Sequence, residues 1–240
     1  MNQFEIEFIL SILAILGIAF NSFKKGRFTC NKFLLNAYLY IFLSLLLVSQ
    51  SINIFSTFRV PSLMNLKQDT SKFLAVLLIS IILLITVMSW PAKNLYSKHF
   101  LWIIWLTTMG YMLYPLFQMN QSLFSIVKYQ AVFVMLFLSL IAFWKPSLIS
   151  INWGSTLFTL LMGLIVVQIF GIIAPEFYTS QTHYYLSYFS LLLFAFFVLF
   201  DTKRLMIKAR QCVKADYIND SMGVVLDALN IFTDLFGIQN

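Results

Sequence analysis

Residues 73–90 read FLAVLLISIILLITVMSW, a run of eighteen side chains with no charge, no glycine and no proline. Wound as a helix it is about 27 Å long at 1.5 Å per residue, close to the ~30 Å hydrocarbon thickness of a bilayer. A helix that is apolar all round belongs in lipid or deep in a protein. Comparable runs recur at about 5–21, 33–55, 73–91, 99–118, 123–144, 154–173, 184–200 and 221–237. Over its 240 residues the chain is 60% hydrophobic and 10% charged, against about 25% charged in soluble domains. So much apolar surface dictates an all-α fold, a multi-pass transmembrane helical bundle in which each span satisfies its own backbone hydrogen bonds. The organisation expected is an N-terminal hydrophobic segment and basic loop at 1–32, followed by a seven-helix membrane domain at 33–240.

Charge sets the orientation. Lys24, Lys25, Arg27 and Lys32, then Lys93 and Lys98, then Lys145, then Lys203, Arg204, Lys208, Arg210 and Lys214 fall on one side when loops are counted alternately. The other side holds only Arg59, Lys67 and Lys72, and Lys128 sits inside a span as a snorkelling side chain. Twelve basic residues against three place the loops at 22–32, 92–98, 145–153 and 201–220 in the cytoplasm. The net charge of +7 is therefore topological and does not call for nucleic acid. Glu5 and Glu7 precede the first segment and the basic cluster follows it, the order of an anchor with its N-terminus outside and not of a cleavable signal peptide. A helix lying on the membrane surface is the alternative for 5–21. Cys30 and Cys212 both fall in cytoplasmic loops, so no disulfide is expected. His99 and His183 read as isolated interfacial side chains, and no Cys/His cluster has zinc spacing. The segment 203–214, KRLMIKARQCVK, reads as ordinary positive-inside charge, with the inner leaflet as a surface it could lie on.

The anomaly lies in the last span. SMGVVLDALNIFTDLFGI, 221–238, is amphipathic, with Asp220, Gly223, Asp227, Asn230 and Asp234 on one stripe at about 100° per residue. A charge in the bilayer costs at least about 2.5–3.5 kcal/mol, so the stripe must face protein or water. Asp227 lies about 9 Å along this helix from its cytoplasmic end. Asp201 closes the preceding span, SLLLFAFFVLF, and consecutive spans tend to be neighbours. Two carboxylates about 4 Å apart repel by about 4 kcal/mol at an effective dielectric of 20. Such a pair shares a proton or binds a cation, and two carboxylates fall short of the six to eight oxygens of a tight calcium site. Asp234, near the outer end, reads as solvated, and Asn230 as a hydrogen-bond partner of Asp227 or of a neighbouring helix.

At these residues the sequence resembles the Bax inhibitor-1 family. The likeness rests on Phe200-Asp201-Thr202 ending one helix, on Asp216-Tyr217-Ile218, and on Leu226-Asp227-Ala228-Leu229-Asn230-Ile231-Phe232 in the next. The resemblance implies a seven-helix core with a central helix, and a pH-sensitive calcium leak in which the matches of Asp201 and Asp227 form a proton-sensing pair. It also implies a link to suppression of cell death. Supporting positions are Asn230, Asp220 and Thr202, and Asp201 with Asp227 is the weak calcium site. No bound cofactor is expected, calcium being the transported ion. The partners are the lipid bilayer, calcium and protons, with no protein partner identified and no nucleic acid. The sequence departs from the family at Phe200, where the pattern has Tyr, and at 73–90, which lacks the family's charged residue and so cannot supply a latch. Arg59 and Lys93 are the nearest basic residues to that stretch.

Three function classes follow. The first is the calcium leak. The second is a non-conducting membrane interaction protein that modulates cell death or another complex. The third, an intramembrane aspartyl protease, lacks its Gly-x-Gly-Asp motif, since Val224-Val225-Leu226 precedes Asp227, and no enzyme activity is expected. Abundant Phe, Ile, Leu and Asn suggests AT-rich coding and a bacterial inner membrane, with an ER or Golgi membrane of a eukaryote as the alternative.

Overall fold

The structure is a computed structural model and describes residues 3–24, 26–62, 66–174 and 179–240. Lys25, counted above, and the side chain of Lys67 lie outside the described residues. The described chain holds eight helices: α1 (Gln3–Asn21), α2 (Phe33–Thr57), α3 (Leu66–Ser89), α4 (Leu95–Met119), α5 (Gln121–Trp144), α6 (Trp153–Ile173), α7 (Ser180–Arg210) and α8 (Tyr217–Gln239). All eight are long and apolar enough to cross a membrane. The fold is the all-α multi-pass bundle expected, and each helix falls on one of the segments read from hydropathy.

The largest departures are at α3, which begins at Leu66 rather than near residue 73, and at α7. The seventh span was expected to end near residue 200, but α7 continues to Arg210. Nothing after Asp201 stops it: the sequence TKRLMIKAR has no glycine or proline and is rich in Lys, Arg, Leu, Met and Ala, all strong helix formers. The basic residues 203–210 are thus the last turns of a spanning helix. The connection between α7 and α8 shrinks to residues 211–216.

The chain packs as two compact units, Met1–Gln121 with Gln211–Met222, and Ser122–Arg210 with Gly223–Asn240. In the first unit α1 runs antiparallel along α2. Near one end the Ser49 hydroxyl donates to Glu7 Oε2 (2.8 Å) and Gln50 donates to Ser11 Oγ (2.7 Å). Near the other, Asn36 donates to the Asn21 carbonyl (3.2 Å). Contact along the whole helix is the arrangement of a span, not of a segment lying across the membrane surface. A short antiparallel hairpin pairs β1 (Phe23–Lys24) with β2 (Arg27–Phe28). Gly26, at φ +71°, supplies the left-handed backbone a hairpin turn demands.

Three expectations fail in this unit. Cys30 and Cys212 form a disulfide, with their Cα atoms 5.8 Å apart. The contrary expectation came from compartment alone and took no account of the fold bringing the two loops together. Lys98, counted as a loop charge, has no exposed side-chain surface; its ammonium donates to Asp216 Oδ2 (2.6 Å) and to the Trp90 carbonyl (2.8 Å). His99 is not an isolated interfacial side chain. Its Nε2 meets the Tyr40 hydroxyl at 2.7 Å, its Nδ1 meets the Leu95 carbonyl at 2.7 Å, and Phe23, Phe28 and Trp102 surround it. Its surroundings are set by α2 and the hairpin, which no spacing along α4 reveals.

The second unit gathers α5, α6, α7 and α8 from Gly223 onward. Phe232 packs edge-on against Phe124 (4.8 Å between centroids) and Gln239 donates to Gln130 (2.8 Å), fixing α8 against α5. Trp153 meets Phe196 edge-on at 5.8 Å, joining α6 to α7. The Lys203 ammonium caps the α5–α6 connection by donating to the carbonyls of Pro146 (2.5 Å) and Ile149 (2.9 Å). In α8, Val224, Val225, Ala228, Ile231, Phe232 and Phe236 are buried together with Asp227 and Asp234, so the acids travel inward with the apolar side chains rather than facing away from them.

Candidate functional site

The second unit contains a cavity of about 370 Å³ between α6, α7 and α8. Leu161, Leu164, Ile165, Phe194, Phe197 and Leu226 make its walls apolar. Asp201, Asp227, Asn230 and Gln168 bring polar groups to it. The two aspartates singled out in the sequence therefore line one space, from consecutive helices.

The local sequence explains how they meet. Asp201 projects from α7 onto α8 at Gly223, one turn before Asp227. A Cβ at Gly223 would stand 2.9 Å from the Asp201 carboxyl carbon and closer still to its Oδ2. Only the missing side chain lets the carboxylate lie against the α8 backbone. Gly223 was on the polar stripe in the sequence, but its part in seating Asp201 was not anticipated. A glycine four residues before a membrane aspartate was the signal available.

Asp227 is 4% exposed, and its Oδ2 is buried with no hydrogen-bond partner among the described residues. Buried polar atoms are satisfied in the great majority of cases, so an unsatisfied carboxylate oxygen in a cavity wall marks a position to examine for function. Asp201 is different. It is 14% exposed and accepts from the Arg204 guanidinium one turn on, at 3.2 Å, while Arg204 itself is two-thirds exposed. A pair so open to solvent contributes about 0–1 kcal/mol, so Arg204 is a loose counter-charge and not a clamp. The sequence reading looked for a basic partner at Arg59 or Lys93 and overlooked the one on the same helix, although spacing of three residues makes it a neighbour.

The supporting residues divide. Asn230 lines the cavity, but its amide donates to the Leu226 carbonyl of its own helix (2.8 Å), so it is not the partner of Asp227 that the sequence suggested. Thr202 is fully buried, its hydroxyl 3.3 Å from that of Ser139 on α5, where it joins two helices. Asp220 closes the start of α8 by accepting from the Asp216 N–H (3.2 Å), while Asp216 Oδ1 accepts from the Asn219 N–H (3.4 Å), a reciprocal cap of the helix N-terminus. Asp234 was expected in solvent. It is instead 9% exposed and hydrogen-bonded to Ser190, with Oδ2 unpartnered, because α7 extends alongside it.

Chemically, the cavity offers two carboxylates, two amides and apolar walls. Among the described residues no three His, Cys, Asp or Glu side chains cluster as metal ligands. A cation here would keep much of its water, as a weakly held and mobile ion does.

Comparison with curated proteins finds no match, and comparison with solved structures finds none either. Residues 30–239 match the family model described as inhibitor of apoptosis-promoting Bax1. That match runs from the foot of α2 to the end of α8 and takes in both aspartates. The chain belongs to the Bax inhibitor-1 family.

Proposed function

We propose that this membrane protein is a calcium-permeable leak whose conductance follows the protonation of Asp201 and Asp227. The observation that carries the reading is the shared cavity: two acids from consecutive spans, one with a buried oxygen that no protein group satisfies. With both ionised, they repel by about 4 kcal/mol if some 4 Å apart at an effective dielectric of 20. A proton on the pair removes that repulsion, and so does a cation between them. Either event alters the force across the α7–α8 contact at Gly223, where the Asp201 carboxylate bears on the neighbouring backbone. Arg204 gives Asp201 an exposed counter-charge at 3.2 Å, whereas Asp227 Oδ2 has no hydrogen-bond partner among the described residues. The family's likeness in this region supports the same assignment, and the twelve-to-three distribution of basic residues orients the pair toward the cytoplasm. A bacterial inner membrane is the setting we infer from composition.

The test is calcium entry into dye-loaded vesicles that contain the purified full-length chain, followed from pH 5.5 to pH 8. Flux should vary with pH, and Asp227→Asn should flatten the profile. Unchanged flux and an unchanged profile in Asp227→Asn would sink the assignment of the pair. Absence of flux at every pH from a folded wild-type chain would favour the non-conducting interaction protein.

A further inference from the structure

The first unit holds a second hollow, independent of the aspartates. It is an apolar groove of about 680 Å³ formed by α1, α2 and α4, with Phe23 and Gly26 of the hairpin closing its cytoplasmic end. Ile15, Phe100 and Ile103 stand exposed along it, so it opens sideways to the lipid phase rather than into the protein. Directly beyond the hairpin is a polar hollow lined by Lys24, Arg27, Phe28 and Thr29. Lys24 and Arg27 are exposed and sit opposite each other across the two strands. No ion pair to either is present among the described residues.

The hairpin that bridges the two hollows is held in place. The Thr29 N–H donates to the Ser22 carbonyl at 3.0 Å, the Tyr217 hydroxyl donates to the Thr29 carbonyl, and Cys30 is covalently tied to Cys212. Two basic side chains are therefore presented at a fixed place at the end of an apolar channel. A basic pocket and an acyl-sized groove lined by neighbouring residues of one hairpin complement one kind of molecule in this setting, an anionic phospholipid. Most of the α1 and hairpin contribution precedes residue 30, where the family match begins. The groove thus joins α1 and hairpin residues that precede the family match to α2 and α4 residues inside it.

We propose that this groove binds one anionic phospholipid of the cytoplasmic leaflet, with an acyl chain along α1, α2 and α4 and the headgroup phosphate between Lys24 and Arg27. Tyr96, 94% exposed at the start of α4 and lining the groove, marks the headgroup level, where amphipathic rings collect.

Native mass spectrometry of the full chain, delipidated in a neutral detergent and given phosphatidylglycerol or phosphatidylcholine of identical acyl chains, tests it. One phosphatidylglycerol should be retained about tenfold more tightly than phosphatidylcholine. The double variant Lys24→Gln, Arg27→Gln should bring the two lipids to parity with helicity unchanged. Ile103→Trp, which fills the groove, should weaken both lipids. Equal retention by the wild-type chain, or an undiminished preference in the double variant, would overturn the proposal. So would adducts of inorganic phosphate that compete with phosphatidylglycerol at the same site, since they would assign the basic hollow to a free anion.

Discussion

Lys98 and Asp216 give the sharpest quantitative test of the structure. The ammonium has no exposed side-chain surface, whereas Asp216 retains 18%. Removing either partner should therefore have unequal effects. Asp216→Asn preserves the shape of the side chain and its ability to cap α8, because Asn caps helices as well as Asp. It nevertheless leaves a buried ammonium with only the Trp90 carbonyl. Breaking a buried pair in this way costs about 3–5 kcal/mol. Lys98→Met fills much of the same volume and leaves a carboxylate that reaches water and still accepts from the Asn219 N–H. That variant should lose about 1–2 kcal/mol, the size of one net hydrogen bond to a charged group. The double variant should lie near Lys98→Met, so that the coupling from the cycle equals the cost of Asp216→Asn alone, about 3–5 kcal/mol. The assay is thermal or denaturant unfolding in one detergent, followed by tryptophan fluorescence. Equal losses for both single variants, or a coupling below about 0.5 kcal/mol, would show that Lys98 is hydrated and that the burial argument is wrong.

Two further predictions concern positions where the chain closes on itself. Gly223→Ala gains about 0.5–1 kcal/mol of helix propensity but must displace the Asp201 carboxylate; overpacking of this kind costs about 1–3 kcal/mol. The variant should melt slightly below wild type and lose the pH dependence of calcium flux, and wild-type flux behaviour would contradict the seating of Asp201. Joining residues 182 apart in sequence, the Cys30–Cys212 bond should add about 2–4 kcal/mol. Dithiol treatment should raise the intact mass by two hydrogens and lower the melting temperature, whereas Cys30→Ser should melt alike with or without reductant; a thiol count of two in untreated protein would contradict the cross-link.

The spans were legible because a bilayer imposes one length and one chemistry on every helix, and 73–90 meets both with nothing to interrupt it. The two acids were legible for the complementary reason, since Asp227 is costly in lipid wherever it points. What escaped were pairings set by tertiary distance. Lys98 looks like any loop lysine until Asp216, 118 residues on, comes to meet it. Cys30 and Cys212 looked separate because compartment was allowed to decide a question of geometry. Asp234 looked solvated because it lies near the outer end of α8, and position along the chain does not show that Ser190 of α7 meets it. Arg204 was the avoidable miss, as three-residue spacing on a helix is visible without a structure.

The buried acids of this chain can be ranked by how completely the protein answers them, and the ranking separates structure from function. Asp216 has an ammonium at 2.6 Å and a cap to make. Glu7 receives the Ser49 hydroxyl at 2.8 Å in the seam between α1 and α2. Asp234 has Ser190 for one oxygen. Each of these is costly to bury and each is repaid by a contact that fastens two elements together. Asp227 Oδ2 is buried without a partner among the described residues, as Asp234 Oδ2 also is. What sets Asp227 apart is its place: it lines one cavity with a second acid, Asp201, whereas Asp234 does not line it. The proposed gating by protons or cations therefore belongs to the Asp201–Asp227 pair and not to Asp234.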